Sequence, residues 1–302
     1  MKIAVLGAGG MLGHKIYQYV AREFPETFAV FHKPAKYYRH REIFSEPEMR
    51  GGFEARSGDE VRLYLDALKP DVVVNCIGLT TRKLEAQTHS DIIAVNAVLP
   101  HILKEWCRGN SARLIHFSTD CVFSGKSGPY DETSAPDAKD LYGRSKGLGE
   151  VDGEGFLTIR SSIVGLELEG KSELLEWFLK QRGQRINGFS QVYYSGVTTT
   201  TMAKVVCELL KKKIAFSGIR QLASPVISKH DLLMLTNEIF AAGVAITPVD
   251  QPVSNKVLKQ SSFFNDLGIY PPSWREQLTE VFAELPHYEK EFANGEYKRK
   301  AS

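Results

Sequence analysis

Residues 2–14 decide the fold of this chain, and they read Lys-Ile-Ala-Val-Leu-Gly-Ala-Gly-Gly-Met-Leu-Gly-His. The run opens with apolar residues that predict a short buried strand, and a helical pattern follows it. Gly7, Gly10 and Gly13 lie between the two at a regular spacing. We therefore expect a strand, a tight glycine turn and the beginning of a helix in immediate succession.

This order of elements predicts a dinucleotide site. A side chain at Gly7 or Gly10 would occupy the space through which a pyrophosphate approaches the backbone. The first helical N–H groups, those of Met11 and Leu12, would face that anion together with the positive end of the helix dipole. Glycine turns also occur without a ligand, but a turn directly after the first strand favours a nucleotide.

The composition is that of an ordinary globular protein. The chain has 302 residues, of which 43% are hydrophobic and 25% charged, with a formal net charge of +2. It contains no long basic run and no apolar run of about 18 residues, so we expect neither a nucleic-acid partner nor a membrane span. The first strand begins without a charged leader, which favours a cytoplasmic protein.

The cysteines give no sign of a metal site or a disulfide framework. They are Cys76, Cys107, Cys121 and Cys207, and they lie far apart in the sequence without a Cys-x-x-Cys pair. Zinc sites and disulfide scaffolds both show characteristic short spacings. We expect four reduced thiols and no bound metal.

The end of the second predicted strand, at residues 27–31, indicates the cofactor. In dinucleotide-binding folds an acidic residue there bonds the ribose 2′-hydroxyl, whereas a basic residue accommodates a 2′-phosphate. This chain has His32 and Lys33 at that place. We expect NADPH, with NADH as the alternative because a lone lysine in a loop is usually only solvated. Residues 34–52 show no periodicity and are predicted to form an irregular loop.

Strands and helices alternate along the first half of the chain. Ser57-x-x-Glu60 predicts a helix N-cap, and the β-branched run at 71–76 predicts a central parallel strand. Three further predicted elements are a helix at 92–107, a strand at 113–118 and a helix that begins near Ala138. This alternation predicts a Rossmann-like, doubly wound α/β sheet with its ligand site at the carboxyl ends of the strands.

That rule brings three stretches, residues 7–13, 76–80 and 118–120, into one crevice. Tyr142 and Lys146 follow the third stretch, four residues apart in the predicted helix and so on one helix face. A phenol has a pKa of about 10, and a neighbouring ammonium favours its ionised form, so the pair predicts acid–base chemistry. Alone, a Tyr and a Lys at this spacing would more often be solvent-exposed residues without a function. The glycine turn and the strand-end Ser-Thr-Asp in the same chain favour the functional interpretation.

Together these motifs resemble the extended short-chain dehydrogenase/reductases, and within them most of all the dTDP-4-dehydrorhamnose reductase group. The matching pieces are Gly-Ala-Gly-Gly-Met-Leu-Gly at 7–13, Asn-Cys-Ile-Gly-Leu-Thr at 75–80, Asn96, Ser-Thr-Asp-Cys-Val-Phe at 118–123, Tyr-Gly-Arg-Ser-Lys at 142–146, Arg160 and Gly-Ile-Tyr-Pro-Pro-Ser-Trp at 268–274. The resemblance implies a dinucleotide-binding domain over residues 1–160, to which 196–224 return. It also implies a smaller C-terminal α/β domain over 161–302 that mainly binds substrate.

The resemblance further implies roles for individual residues. Tyr142 would protonate the carbonyl oxygen, Thr119 would bond the same oxygen, and Lys146 would hold the nicotinamide ribose and lower the pKa of the tyrosine. Asp120 and Ile163 would contact the sugar. Including positions already mentioned, the cofactor-binding residues would be Gly7, Gly10, Met11, Leu12, Gly13, His32, Lys33, Glu54, Ala55, Gly78, Leu79, Thr80, Tyr142 and Lys146.

Two departures from that group lie on the substrate side. Ile163 stands where the group has a tryptophan that packs on the sugar, and residues 193–199 replace a later motif. The implied activity is therefore NADPH-dependent reduction of a dTDP- or UDP-linked 4-keto-6-deoxyhexose, in the synthesis of cell-surface polysaccharide precursors, with the sugar itself left open.

Several alternatives stay open from the sequence. The chain could be a nucleotide-sugar epimerase on the same scaffold, or a non-catalytic NADP-binding regulatory subunit. A 4,6-dehydratase is disfavoured, because those enzymes carry a glutamate where this chain has Cys121. For Arg160 an ion pair between the domains and a contact with substrate are equally supported, whereas Asn96 is expected to be structural. A homodimer is left open.

Overall fold

Seven parallel strands form the central sheet of the computed structural model, which describes residues 1–80, 87–212, 214 and 216–300, with side chains through residue 290. The strands of the protein are β1 (Ile3–Leu6), β2 (Thr27–Val30), β3 (Met49–Arg50), β4 (Val72–Asn75), β5 (Arg113–Ser118), β6 (Phe156–Arg160), β7 (Ile163–Val164), β8 (Arg185–Phe189), β9 (Val192–Tyr194), β10 (Val197–Thr198), β11 (Ser217–Gln221), β12 (Ile227–Ser228), β13 (Ala245–Val249) and β14 (Ser254–Asn255). The order across the central sheet is β11, β6, β5, β4, β1, β2, β3. The strand order therefore reverses between β1 and β4, which confirms the predicted doubly wound sheet.

Helices cover both faces of this sheet. They are α1 (Gly13–Glu23), α2 (Gly58–Leu68), α3 (His89–Ile93), α4 (Leu99–Gly109), α5 (Leu141–Leu148), α6 (Leu174–Leu179), α7 (Thr199–Lys211), α8 (Lys229–Ile239), α9 (Ser262–Asp266) and α10 (Trp274–Lys300). One hydrophobic core joins α1, α7 and α10 to one face of the sheet, and a second joins α2 and α4 to the other. None of the described helices is both long and apolar enough to cross a bilayer.

The side chains of β1 show why the strand is buried on both sides. Ile3 and Val5 belong to the first core, whereas Ala4 and Leu6 belong to the second, and all four are fully buried. Successive strand residues point to opposite faces, so a strand between two helical layers is a continuous apolar run. This is the pattern from which the strand was predicted.

The predicted boundaries of three elements need correction. The loop expected at 34–52 contains the strand β3, which pairs in parallel with β2 and adds an edge to the sheet. The helix expected from Ala138 begins at Leu141, because the Asp140 side chain accepts the N–H of Gly143 at 2.9 Å and acts as N-cap. The helix expected at 92–107 begins at α3 and passes through a π-helical turn before α4.

The second half of the chain adds three small sheets and then returns to the large one. The small sheets pair β7 with β10, β8 with β13, and β9 with β12 and β14. Two elements of this half return to the large sheet: α7 packs against α1, and β11 pairs with β6. The division into a dinucleotide-binding and a substrate-binding domain stays a prediction.

The glycine turn requires close packing of backbone on backbone. Gly7 has a φ of +78°, a conformation that L side chains rarely adopt, and its carbonyl accepts the N–H of Gly10 at 2.9 Å. A Cβ at Gly13 would overlap that same carbonyl. The third glycine therefore lets the first turn of α1 rest directly on the end of β1.

We expect Gly13→Ala to destabilise the protein by about 1–3 kcal/mol, the usual cost of overpacking a site that cannot relax. Urea unfolding followed by circular dichroism measures the change. Gly109→Ala is the matched control, since a Cβ at that helix end would meet no atom within 4 Å. Equal stability of the two variants would contradict the packing role of Gly13.

Candidate active site

Two neighbouring cavities lie at the carboxyl edge of the central sheet. Their volumes are about 300 Å³ and about 390 Å³, and they share Gly10, Cys76, Ile77 and Gly78 in their walls. The shared wall follows the ends of β1 and β4, where the strand order reverses. In doubly wound sheets this is the place where ligands bind.

The first cavity collects many of the predicted cofactor-binding residues. Its described lining consists of Gly7, Gly10, His32, Phe53, Glu54, Ala55, Arg56, Cys76, Ile77, Gly78, Leu79, Gln87 and Val95. Residues that follow four neighbouring strands, β4, β1, β2 and β3, thus meet around one space. It is apolar on the Phe53 and Ile77 sides, polar at His32, and charged at Glu54 and Arg56.

Lys33 lies outside this lining, although it was predicted to accommodate a 2′-phosphate. Its ammonium pairs with Glu169 at 2.9 Å and lies 3.9 Å from the centroid of the Tyr37 ring. Among the described lining residues the cation is Arg56, which donates to Glu54 at 3.0 Å and to Asp91 at 3.2 Å. Our sequence reasoning missed Arg56, although it directly follows Glu54 and Ala55, which were predicted to bind the cofactor.

The second cavity collects the predicted catalytic residues. Its lining includes all three of them, Thr119, Tyr142 and Lys146, together with Ile163, predicted to contact the sugar, and the predicted cofactor-binding residues Gly10, Met11, Leu12, Gly78 and Thr80. Sequence reasoning did not assign to the site several polar residues in the same wall, namely Cys121, Ser161, Ser162, Glu167, Glu173, Tyr194 and Lys229. Most of these come from the second half of the chain, where no local motif marked them.

Two predicted residues lie behind the walls instead of in them. Gly13 packs on Gly7, as described above. Asp120 is buried, and its carboxylate accepts hydrogen bonds from the hydroxyls of Ser162 and of Thr119, the latter at 3.1 Å. Asp120 thus supports residues that line the cavity.

The surroundings of the Tyr142 phenol favour its neutral form. Burial raises the pKa of Tyr142 far above its ordinary value, the Cys121 thiol adds to this, and a hydrogen bond with Thr119 opposes it. The pKa of Tyr142 is therefore raised overall, not lowered as expected from the neighbouring ammonium, because the effect of burial is larger. The protonated phenol is the form that donates a proton.

Lys146 follows Tyr142 by one helical turn in α5, and its side chain is buried. Its Nζ donates to the carbonyl of Phe117 at 2.6 Å. Burial lowers the pKa of Lys146 to about 8, while the Glu150 carboxylate opposes the shift. Lys146 is therefore still mostly charged at neutral pH. Among the described residues no group of three His, Cys, Asp or Glu side chains could hold a metal ion.

Asn96 fixes the loop between the two cavities. It lies in the π-helical turn, and its side chain accepts the N–H of Leu79 at 2.9 Å. It also donates to the carbonyl of Leu79 at 3.0 Å and to the hydroxyl of Ser145 at 3.3 Å. These contacts hold the end of β4 against α5 and agree with a structural role.

Arg160 forms a buried ion pair instead of lining either cavity. Its guanidinium donates two hydrogen bonds to Glu150, both at 2.7 Å, and the two side chains are only 3% and 4% exposed. Glu150 also accepts from the hydroxyl of Ser118 at 2.7 Å. Both members of the pair lie within residues 1–160, so the pair does not join the two predicted domains.

We expect Arg160→Met to lower the free energy of unfolding by about 3–5 kcal/mol, because it leaves the Glu150 carboxylate buried without its partner. Urea unfolding measures the loss. The double variant Arg160→Met/Glu150→Met should regain part of it. Arg275→Met is the exposed control, since it breaks a two-bond pair with Glu238 on the surface. A loss as small as that of the control would show that the buried pair does not stabilise the sheet.

Comparison with known proteins gives full-length matches. The family described as the RmlD substrate binding domain matches residues 1–286. The spore coat polysaccharide biosynthesis protein SpsK of Bacillus subtilis is 26% identical over 303 residues, covering 94% of this chain and 97% of that protein. A dTDP-4-dehydrorhamnose reductase of Aggregatibacter actinomycetemcomitans is 24% identical, covering 93% and 98%. The crystal structure of a dTDP-4-dehydrorhamnose reductase from Bacillus anthracis in complex with NADP superposes with a TM-score of 0.75 at 18% identity, covering 94% and 99%.

Proposed function

Because the chain belongs to the RmlD substrate binding domain family, we propose that it is an NADPH-dependent reductase of a nucleotide-diphospho-4-keto-6-deoxyhexose. The carrier would be dTDP or UDP. The relatives named as reductases support the reaction class, and the spore coat relative supports a role in polysaccharide precursor synthesis. The cytoplasmic location and a homodimer stay predictions from the sequence.

One observation carries this proposal: the neutral Tyr142 phenol lines a cavity that shares its wall with the glycine turn. That wall suits a dinucleotide, because Gly7 turns with positive φ and Gly78 presents no side chain beside Lys146. A Cβ at Gly78 would lie 3.9 Å from the Lys146 ammonium. The wall thus leaves room for a ribose and nicotinamide next to the reacting groups.

Bound NADPH would supply the hydride that reduces the carbonyl carbon. Tyr142 then gives its hydroxyl proton to the carbonyl oxygen, so that the ketone becomes an alcohol and the phenol a phenolate. Thr119 holds the same oxygen. The positive charge of Lys146 stabilises the phenolate, which regains its proton from solvent. We propose that Lys146 also donates to the nicotinamide ribose.

Cys121 distinguishes the reductase from a dehydratase. Burial raises the pKa of the Cys121 thiol to about 12, so this residue of the cavity wall carries no charge at neutral pH. An elimination across two carbons of the sugar needs a base at that place, and a neutral thiol does not provide one. Retention of Thr119, Tyr142 and Lys146 in one cavity argues equally against a non-catalytic subunit.

A spectrophotometric screen of NADPH oxidation over dTDP- and UDP-linked 4-ketosugars tests the proposal. We expect one NADPH consumed for each sugar reduced. Tyr142→Phe should lower turnover by about 10² to 10⁴, the usual contribution of a positioned general acid, while NADPH still binds. An epimerase would convert sugar without net consumption of NADPH. Near-normal turnover in Tyr142→Phe would mean that another group delivers the proton.

The cofactor preference tests a second part of the proposal. We propose that His32 and Arg56 contact the 2′-phosphate, because they line the first cavity while Lys33 is held by Glu169. NADPH should then bind more tightly than NADH. Arg56→Met should reduce this preference several-fold, an effect limited by solvent screening, and the matched variant Lys33→Met should reduce it less. Fluorescence titration measures both dissociation constants, and equal values in the unmodified protein would contradict the assignment.

A further inference from the structure

We propose that Lys229 binds the diphosphate of the nucleotide sugar, an assignment that rests on the proposed function. Lys229 is the first residue of α8, and its side chain lines the second cavity. Among the described lining residues of this cavity, the cations are Lys229 and Lys146. A nucleotide-linked sugar carries its negative charges on the diphosphate, so a cation in the wall determines where that group binds.

Tyr194 fixes the place of the ammonium. The Tyr194 side chain is buried at 4% exposure, and Nζ of Lys229 lies 4.1 Å from its ring centroid. This distance allows a cation–π interaction, which limits the positions that the ammonium can take. The cation is therefore oriented before substrate arrives, and binding costs less side-chain entropy.

The same ring connects Lys229 to the reacting groups. The hydroxyl end of Tyr194 lies by Ser162, whose own hydroxyl donates to Asp120 beside Thr119. Lys229, Thr119 and Tyr142 all line this one cavity. In a nucleotide-linked 4-ketohexose the diphosphate is on the first carbon, across the sugar ring from the 4-carbonyl. A sugar with its ketone at Thr119 and Tyr142 would therefore present its diphosphate to Lys229.

The carboxylates of this wall accept hydrogen bonds from neighbouring groups. Glu167 accepts the backbone N–H groups of Ser172 at 2.6 Å and Glu173 at 2.7 Å. The Glu173 carboxylate accepts the hydroxyl of Thr80 at 3.2 Å. These hydrogen bonds partly neutralise both carboxylates, which reduces their repulsion of an anion bound at Lys229.

The N-terminus of α8 adds a favourable field. Its N-cap, Ser228, accepts the N–H of Asp231 at 2.9 Å, so the helix begins at Lys229 with its positive dipole end. The Asp231 carboxylate bonds the imidazole of His230 at 2.9 Å, which holds that carboxylate on the His230 side. The backbone and the side chain of Lys229 thus both favour negative charge.

Isothermal titration calorimetry with NADP⁺ present tests the assignment. The probes are dTDP and UDP, compared with dTMP and UMP. Lys229→Met should weaken binding of the preferred nucleoside diphosphate by about tenfold, the effect of losing a hydrogen bond to a charged group. The ratio of the dissociation constants of monophosphate and diphosphate should fall accordingly. Lys229→Arg should restore most of the affinity. Lys212→Met removes an exposed lysine outside the cavity and is the matched control.

Three results would decide against the assignment. Diphosphate binding within twofold of the unmodified protein in Lys229→Met would overturn it and leave the proposed reductase intact. Equal losses for Lys229→Met and Lys212→Met would likewise overturn it, since they would reflect net charge alone. If the unmodified protein binds neither dTDP nor UDP, both the assignment and the proposed function fail.

Discussion

The contact of backbone with backbone between β1 and α1 is the constraint on which the site depends. Because Gly13 has no Cβ, the first turn of α1 rests on the carbonyl of Gly7, and the N–H groups of that turn point along the edge of the sheet. The ends of β4 and β5 reach the same edge. A larger residue at this contact would move α1 away from the sheet and open the wall that the two cavities share.

The last helix holds α1 in that position. His14 bonds the carbonyl of Gly10 at 2.7 Å through Nδ1 and the hydroxyl of Tyr288 through Nε2, and burial lowers its pKa to about 3. Lys15 pairs with Glu284 at 2.9 Å although its own side chain is almost fully buried. A neutral imidazole bridging two groups and a paired ammonium satisfy polar atoms that would otherwise destabilise the core. The far end of the chain thereby supports the cofactor helix.

Local patterns predicted the parts of the protein that local forces determine. The buried strands were visible as apolar runs, and the cap at Ser57 was visible because its partner, the N–H of Glu60, lies three residues away. The strand β3 was missed because two residues show no periodicity. The ion pair of Lys33 could not be predicted either, since its partner Glu169 lies 136 residues further along the chain.

The pKa values of Tyr142 and Lys146 were predicted least well, for a related reason. Sequence spacing shows that Tyr142 and Lys146 share a helix face, and it suggests a charge effect between neighbours. The structure adds burial, which favours the neutral form of both groups. Burial depends on every element packed around α5, so no short stretch of sequence encodes it.

The lowered pKa of Lys146 means that its buried ammonium reduces the stability of the folded protein. An unfolded lysine titrates near its ordinary value of 10.5, whereas burial lowers the pKa of Lys146 to about 8 in the folded chain. Between these pH values the unfolded state binds more protons, so the free energy of unfolding rises with pH in this interval and is lowest, for this group, below about pH 8. The protein thus keeps a buried ammonium that opposes folding at neutral pH. In the proposed reaction, that same buried charge, one helical turn from Tyr142 and in the same cavity wall, would stabilise the phenolate when the Tyr142 proton leaves.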